Sequence, residues 1–342
     1  MSDSAFLYHM AHAALAGYDL RDAGVHLLSI SENVIFRVDT GGRPRYALRL
    51  HRPGYHTAAE IGSELAWLGA LHEAGLEVPV PVPGHDGALI RTLPAPDGIT
   101  RHAVLFTWMD GTEPTPDIDP IAFTRLGRVT ARLHDHSRYW ARAPGFTRKV
   151  WTPDTMTGPH ALWGRWDAVP GMTGTAHDLI AACLRQINAE LAEYGRQPER
   201  FGLIHADLRL ANLLVSGAHT RLIDFDDCGI SWFMQDLAAA LSFHEDHPHA
   251  PRCRSLAARL RDGGTGGAGR SGYFAHACHT AANPASGMDR HPPAYRAGAK
   301  PWAGLVRAHA GSVPGMAGGP PAARYWLNRA IHGRHFPAPG DY

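Results

Sequence analysis

The segment LIHADLRLANLLVSGAHTRLIDFDD, residues 203–227, decides the fold of this chain. Its key polar residues are, in order, His205, Asp207, Asn212 and Asp224. They stand among residues that favour strands and turns. Because burying a carboxylate costs several kcal/mol unless a partner compensates its charge, these side chains are predicted to be paired inside the fold or to bind a metal ion.

Upstream of this segment, residues 1–110 predict a small lobe rich in β-strands. Two β-rich runs, residues 26–38 and 45–50, flank DTGGRP, a Gly/Pro turn that suits a hairpin. A helix is predicted next, in TAAEIGSELAWLGALHEAG. Thr57 and Glu60 fit a capping box at its start.

From residue 111 to residue 250 the pattern becomes helical. Apolar residues recur at helical spacing in two stretches, Ala122, Leu126, Val129 and Leu133, and then Ile180, Leu184, Ile187 and Leu191. The run WFMQDLAAALSF predicts a third helix, and LLVSGAHTRLI predicts a β-hairpin inside the opening segment. A small β-rich lobe therefore precedes a larger helical lobe, which is an α+β arrangement.

The last 92 residues, 251–342, differ in composition from the rest of the chain. Leu, Ile, Val and Phe supply nine of them, whereas Gly supplies fifteen and Arg eleven. That apolar share lies below the roughly 20% expected of a folding chain. Two interpretations stay open: an irregular, disordered basic tail, or the product of a shifted reading frame in GC-rich DNA.

Bulk properties narrow the class of protein. No run approaches 18 uninterrupted apolar residues, and the N-terminus lacks a basic start followed by an apolar stretch. Neither a membrane span nor a secretory signal is therefore predicted. The four cysteines are Cys183, Cys228, Cys253 and Cys278. They form no C-x-x-C pair, which predicts reduced thiols and a cytoplasmic protein.

The net charge of +1 conceals an asymmetry along the chain. Residues 251–342 contain eleven Arg, one Lys and three Asp, a net charge of +9, so residues 1–250 carry −8. An acidic body disfavours nucleic acid as the main ligand. It suits a ligand that is cationic or bound to a metal ion.

The spacing His205-x-Asp207-x-x-x-x-Asn212, with Asp224 twelve residues further on, predicts phosphoryl transfer. Transfer from ATP requires a carboxylate that accepts the hydroxyl proton, ligands for Mg²⁺ and a cation on the phosphates. The predicted hairpin returns Asp224 beside Asn212. Oxygen ligands of this type suit Mg²⁺, which takes the rest of its shell from water and phosphate.

These residues resemble the catalytic and metal-binding loops of the aminoglycoside phosphotransferase family. That family includes homoserine kinases of the second type, choline kinases and a bacterial stress-response kinase, and it shares the protein-kinase-like fold of two lobes. The resemblance covers residues 20–245 and includes YALRLHRPGY, LGRVTARLH and WFMQDLA. It implies an ATP- and Mg²⁺-dependent kinase whose acceptor is a hydroxyl group of a small molecule.

The resemblance also implies a role for each matching residue. Asp207 corresponds to the catalytic base, and His205 to a structural member of the same catalytic loop. Asn212 and Asp224 correspond to the Mg²⁺ ligands. Asp226 would be a second acidic group near the metal, and Asp236 the buried aspartate that hydrogen-bonds the catalytic loop.

Arg49 stands where the family usually has a lysine that binds phosphate. Glu64, on the following helix, is its natural partner. Strand alternation points Arg49 away from Leu48 and Leu50. The arginine keeps the charge but replaces a compact ammonium with a planar fork, and Ala206 stands where glycine is common.

Other functions stay open at this point. The acceptor is predicted to be an amino sugar, an amino alcohol or a hydroxy amino acid, with no membrane or nucleic acid as partner. The alternatives are a protein Ser/Thr kinase of the stress-response type and a nucleotide-binding protein without full catalysis. A third alternative makes the basic tail an arm that binds RNA or a membrane surface.

Overall fold

The computed structural model describes residues 3–114, 120–169, 172–217 and 219–241. The predicted tail, 251–342, lies outside the described residues. Within the described residues, the α-helices are α1 (Asp3–Leu15), α2 (Ala58–Glu73), α3 (Pro120–Tyr139), α4 (Pro153–Met156), α5 (Gly174–Tyr194) and α6 (Met234–Ala240). The strands are β1 (Gly24–Ile30), β2 (Val34–Thr40), β3 (Arg43–Leu50), β4 (Arg91–Leu93), β5 (Arg101–Thr107), β6 (Phe201–Ile204), β7 (Leu213–Ser216), β8 (His219–Leu222) and β9 (Gly229–Trp232).

The described residues divide into two compact units. The first unit contains residues up to 114 together with 140–149 and 211–226. The second contains 120–139, 150–210 and 227–241 among the described residues. The chain therefore passes from the second unit to the first, and back again, inside the segment 203–227.

The first unit is built on a five-stranded antiparallel sheet with the order β1-β2-β3-β5-β4. The predicted hairpin is present: β2 and β3 meet at the DTGGRP turn, where Thr40 pairs with Arg43. Strand β3 is central, and Arg49 pairs with Ile35 on one side and Val104 on the other. Leu48 and Leu50 point into the core beneath α1, so the intervening Arg49 lies on the opposite face of the sheet.

Helix α2 lies between strands β3 and β4 in the chain and begins with the predicted capping box. The backbone N–H of Glu60 donates to the Thr57 hydroxyl, and the Glu60 carboxylate accepts from the Thr57 backbone. These two bonds satisfy donors that a helix N-terminus otherwise leaves unpaired. The helix buries Ile61, Trp67 and Leu68, and these contacts fix the position of Glu64 on the same helix.

The second unit has a core of its own, formed by α5, the β6–β9 pair and an aromatic segment. The four residues with helical spacing in α5, Ile180, Leu184, Ile187 and Leu191, all lie in this core. Trp151 is buried and stacks on Trp163, with ring centroids 4.8 Å apart. Strand β6 leads from this core directly to His205.

The architecture confirms the predicted α+β class. Helix α1, which was not predicted, precedes the antiparallel sheet, and α2 lies between β3 and β4. The other described helices follow the sheet along the chain. Cys183 and Cys228 are free and buried, while Cys253 and Cys278 lie outside the described residues. Among the described helices, none combines the length and the apolarity that crossing a membrane would require.

Candidate active site

The loop after β6 places His205, Ala206 and Asp207 by means of a buried aspartate in α6. The backbone N–H groups of His205 and Ala206 donate to the Asp236 carboxylate, at 3.2 and 2.8 Å. The Nε2 atom of His134, in α3, is the third donor, at 2.9 Å. Asp236 and His205 are fully buried. A carboxylate with three donors is compensated inside the core, and it fixes the backbone that leads into Asp207.

His205 contributes a further hydrogen bond within this loop. Its Nδ1 atom accepts from the backbone N–H of Asp207, at 3.3 Å. The His205 side chain has no exposed surface, so this bond lies inside the loop.

The Asp207 side chain is partly buried and is bound by a residue that the sequence analysis did not single out. Arg209 donates through Nε to Asp207 Oδ1 at 2.7 Å and through an NH2 nitrogen to Oδ2 at 3.0 Å. This bidentate geometry is the strongest form of an arginine–carboxylate contact. The sequence offered one signal for this pair, because Asp207 and Arg209 carry opposite charges and are two positions apart.

Two residues of the segment 203–227 adopt the left-handed backbone conformation that favours glycine. Ala206 has φ +68° and Asp224 has φ +62°. Such conformations cost about 1–2 kcal/mol for a residue with a Cβ and concentrate at functional sites. A glycine at position 206 would adopt this conformation without that cost.

The predicted hairpin is formed by β7 and β8, and it returns the chain to Asn212. Leu213 pairs with Leu222, and the backbone N–H of Ile223 donates to the carbonyl of Asn212 at 3.0 Å. Asn212 directly precedes the hairpin, and Asp224 is the second residue after it. The bond between Ile223 and Asn212 therefore brings the two ends together.

Phe225 anchors the turn that follows the hairpin. Its ring is buried and packs edge-on against Trp67 of α2, with centroids 5.5 Å apart. With this apolar side chain held in the core, the carboxylate of Asp224 stays half exposed, at 50% of its side-chain surface. Asp226, on the far side of Phe225, is buried instead.

Arg49 and Glu64, the two residues that the resemblance pairs, form a buried ion pair. One guanidinium nitrogen of Arg49 lies 2.8 Å from both carboxylate oxygens of Glu64. Its other terminal nitrogen lies 4.0 Å from Asp224 Oδ1. Burial opposes the charge of Arg49, but the nearby carboxylates outweigh burial and raise its pKa. The first unit thus holds a permanent cation next to an exposed carboxylate.

A second buried ionic cluster surrounds Asp226, and its partners were not predicted. The Nδ1 atom of His51 lies 3.4 Å from Asp226 Oδ1, and the Nε2 atom of His56 lies 3.8 Å from Oδ2. The guanidinium of Arg148 donates to the Asp226 backbone carbonyl and to that of Glu60. Burial opposes ionisation of Asp226, but contact with His51 and the charge of Arg49 hold its pKa well below the usual range.

The structure thus distributes the predicted site residues over the two units. Arg49, Glu64, Asn212 and Asp224 lie in the first unit, and His205 and Asp207 lie in the second. Of the residues that were missed, His51 had a signal, because it directly follows β3 and the alternation of side chains puts it on the same side as Arg49, two positions earlier. Arg148 had none, because it lies in an irregular segment.

The donors Asn212 and Asp224 fit a magnesium ion. Both offer hard oxygen atoms, and Mg²⁺ commonly takes only one or two protein ligands and completes its shell with phosphate and water. The described residues contain no group of three or more His, Cys, Asp and Glu side chains that could hold a metal ion.

A model of the Phosphotransferase enzyme family (APH) matches residues 27–273, more than half of the chain. The chain belongs to this family. The match extends past residue 250 and includes the whole of the segment 203–227.

Relatives in the family include curated proteins of moderate identity. Amicoumacin kinase of Bacillus subtilis is 25% identical over 233 residues, which cover 67% of this chain and 65% of the relative. An uncharacterised protein of Deinococcus radiodurans is 38% identical over 238 residues, covering 67% and 66%. Homoserine kinase of Mesorhizobium japonicum is 27% identical over 247 residues, covering 70% and 68%. The match thus spans slightly less than two thirds of the first two relatives.

Among solved structures, the chain is similar to a microcompartment-associated aminopropanol kinase. The TM-score is 0.71 at 31% identity, and the alignment covers 95% of this chain and 94% of that one. A phosphotransferase-family fold is therefore established for this chain.

Proposed function

We propose that this protein transfers the γ-phosphoryl group of ATP to a hydroxyl group of a small molecule. The observation that carries the proposal is the pairing of Arg49 with Glu64 beside the exposed carboxylate of Asp224, 4.0 Å from Arg49. A fixed cation suits the phosphates of a nucleotide, and an exposed carboxylate next to it suits the metal ion that accompanies them. Membership of the family supports the same reaction.

In the proposed reaction, Asp207 is the general base. It accepts the proton of the acceptor hydroxyl while the hydroxyl oxygen forms a bond to the γ-phosphorus. The bond from the γ-phosphorus to the bridging oxygen breaks, and ADP leaves with the electron pair. Asp236 and His205 act through the backbone and hold Asp207 in position.

Residues of the first unit would bind the nucleotide. The guanidinium of Arg49, oriented by Glu64, would contact the phosphates, and its planar fork can donate to two oxygens at once. Asn212 and Asp224 would hold Mg²⁺, which when bound neutralises charge on the phosphates.

The names of the relatives support an acceptor of low molecular mass. Homoserine and aminopropanol, named in two of them, each combine an amino group with a hydroxyl group. We infer an amino alcohol, an amino sugar or a hydroxy amino acid as the acceptor. We also infer a cytoplasmic reaction, because ATP is supplied there.

The first experiment is thermal denaturation of the full chain with and without Mg²⁺-ATP. A ligand at about 100 times its Kd that binds only the folded state adds roughly 2.7 kcal/mol, so the midpoint should rise. The rise should be reduced when the metal is chelated with EDTA. A cooperative transition whose midpoint does not change with Mg²⁺-ATP would refute the proposal.

Acceptor identity follows from a coupled ADP assay with candidate alcohols. ADP release stimulated by one amino alcohol, amino sugar or hydroxy amino acid supports the proposal and names the acceptor. Transfer of radiolabel from ATP to a protein instead of to any small alcohol would favour a protein kinase.

A further inference from the structure

We propose that Asp226 is a positioning residue that sets the spacing between Arg49 and Asp224, an inference that rests on the proposed function. It binds no phosphate and no metal ion in this proposal. It acts through the segments that carry those two residues, and it joins the strand β3, the start of α2 and the end of the hairpin into one rigid group. The resemblance implied a different role for Asp226, that of a second acidic group near the metal ion.

The first argument is the location of its side-chain partners. His51 directly follows strand β3 and is two residues from Arg49, while His56 precedes the helix that carries Glu64. Both imidazoles face the same carboxylate, one at each oxygen. Asp226 is two residues from Asp224, so its carboxylate connects the segments that place the cation and the exposed carboxylate.

The second argument is that the backbone of Asp226 is linked to α2, near the segment that its side chain also reaches through His56. The buried guanidinium of Arg148 bridges the carbonyls of Asp226 and Glu60, the latter in the first turn of α2. The residues on either side of Arg148 also bind α2 and the segment that precedes it. The backbone N–H of Thr147 donates to the Ser63 hydroxyl, and Lys149 donates to the Tyr55 carbonyl.

The third argument comes from charge. Arg49 and Asp224 attract each other, yet they stand 4.0 Å apart, with Asp224 half exposed. If the two formed a close ion pair, the Arg49 guanidinium could not bind phosphate and the Asp224 carboxylate could not bind the metal ion. Glu64 binds Arg49, and the contacts of Asp226 hold the end of the hairpin that carries Asp224. The Arg49 guanidinium and the Asp224 carboxylate therefore stay apart.

The side chains around Asp226 are not arranged to stabilise the fold. This favours a positioning role for Asp226. His51 is 4% exposed and Asp226 is 6% exposed. Neither ring nitrogen of His51 makes a well-oriented hydrogen bond with the described residues, and the same is true of Asp226 Oδ1. Buried polar groups without good hydrogen bonds are unfavourable and rarely persist without another purpose.

The test compares Asp226→Asn with the parent protein in two titrations. Replacing a residue that orients metal ligands typically weakens metal affinity or activity by about 10- to 100-fold. We expect the Mg²⁺ concentration for half-maximal stabilisation by ATP to rise about tenfold or more, with a parallel rise in KM for Mg²⁺-ATP. KM for the acceptor should stay unchanged, because the acceptor contacts none of these groups in the proposed reaction.

The matched control is Asp39→Asn. Asp39 is also paired with a histidine and an arginine in the first unit, His26 and Arg37, but it lies on β2 away from Arg49. We expect its Mg²⁺ and ATP titrations to match those of the parent. If Asp226→Asn does not fold, His51→Asn keeps every buried charge of the cluster and is tested by the same two titrations.

The outcomes separate this inference from the proposed function. If the parent is not stabilised by Mg²⁺-ATP, the proposed function fails and this inference fails with it. If the parent is stabilised and the folded variant shows the parent's Mg²⁺ midpoint and KM, the positioning role is overturned while the proposed function stands. A lower melting temperature with unchanged titrations is likewise evidence against it, because it shows a purely structural role.

Discussion

Arg209 binds both carboxylate oxygens of Asp207, at 2.7 and 3.0 Å. The proposed base is therefore held by a cation on the same loop, two residues away. A planar guanidinium fixes the direction of the carboxylate as well as compensating its charge.

We predict that Arg209→Gln lowers kcat by up to about 100-fold, since misplacing a reacting group by roughly 1 Å has an effect of that order. Arg209→Lys should restore part of the rate, because it keeps the charge but loses the fork. Steady-state kinetics of both variants with the identified acceptor provide the measurement. Equal rates for Arg209→Gln and the parent would show that Arg209 does not position the base.

Asp207→Asn and Asp224→Asn should separate catalysis from binding. Asp207→Asn removes the proton acceptor and should abolish turnover while leaving stabilisation by Mg²⁺-ATP nearly intact. Asp224→Asn removes a proposed metal ligand and should weaken that stabilisation itself. Thermal shifts and turnover of both variants test the assignment, and it is wrong if both behave like the parent.

The buried pair of Arg49 and Glu64 should dominate the stability of the first unit. Glu64→Gln leaves the Arg49 charge buried without its main partner, and breaking a buried pair in this way typically costs about 3–5 kcal/mol. We expect a lower urea midpoint with an unchanged m-value. Asp97→Asn, which breaks an exposed pair with Arg101, is the control and should change the midpoint little. Equal effects of the two substitutions would contradict the prediction.

Ala206→Gly should stabilise the catalytic loop. The left-handed conformation at Ala206 is unfavourable by about 1–2 kcal/mol for a residue with a Cβ, and glycine gives back roughly 0.4–1 kcal/mol through a more flexible unfolded chain. A net gain of about 1 kcal/mol or less is expected in urea unfolding. Ala70→Gly, inside α2, is the matched control and should destabilise by about 1 kcal/mol. Destabilisation by both variants would refute the prediction.

His51 should make stability depend on pH in a defined direction. Burial and then the charge of Arg49 lower the pKa of His51, so the folded state disfavours its protonated form. This contribution is complete above an unfolded pKa of about 6.5 and is lost as the pH falls below that value towards the folded pKa. Urea unfolding of the parent between about pH 5 and pH 8 should therefore show stability rising with pH.

His51→Asn should flatten that slope, and substitution of the exposed His9 controls for the loss of a histidine. The pKa of Asp226 is also depressed, but its contribution is lost only below an unfolded pKa of about 3.9, outside this range. A slope that His51→Asn leaves unchanged would mean that other groups govern the pH dependence.

Local features of the fold were predictable from the sequence. The capping box at Thr57 and Glu60, the β2–β3 turn and the β7–β8 hairpin all depend on residues within a few positions of one another. The spacing of Asn212 and Asp224 was predictable for the same reason, because a hairpin of fixed length returns the chain beside its start.

The surroundings of Asp226 were not predictable, because its partners lie far away along the chain. Arg148 is 78 residues distant, and no periodicity or turn signal connects such positions. Burial of Asp226 required that the fold first bring together two histidines and an arginine from separate segments.

The sequence by itself determined the α+β class, the main local elements and the spacing of Asn212 and Asp224, because periodicity, capping and turn chemistry act over short distances. Only the tertiary structure decided that Arg209 binds Asp207, that the Arg49–Glu64 pair is buried, and that His51 and His56 face the Asp226 carboxylate. Those contacts depend on which charges are buried together. A charge removed from water must find its partner in space, whatever its position along the chain.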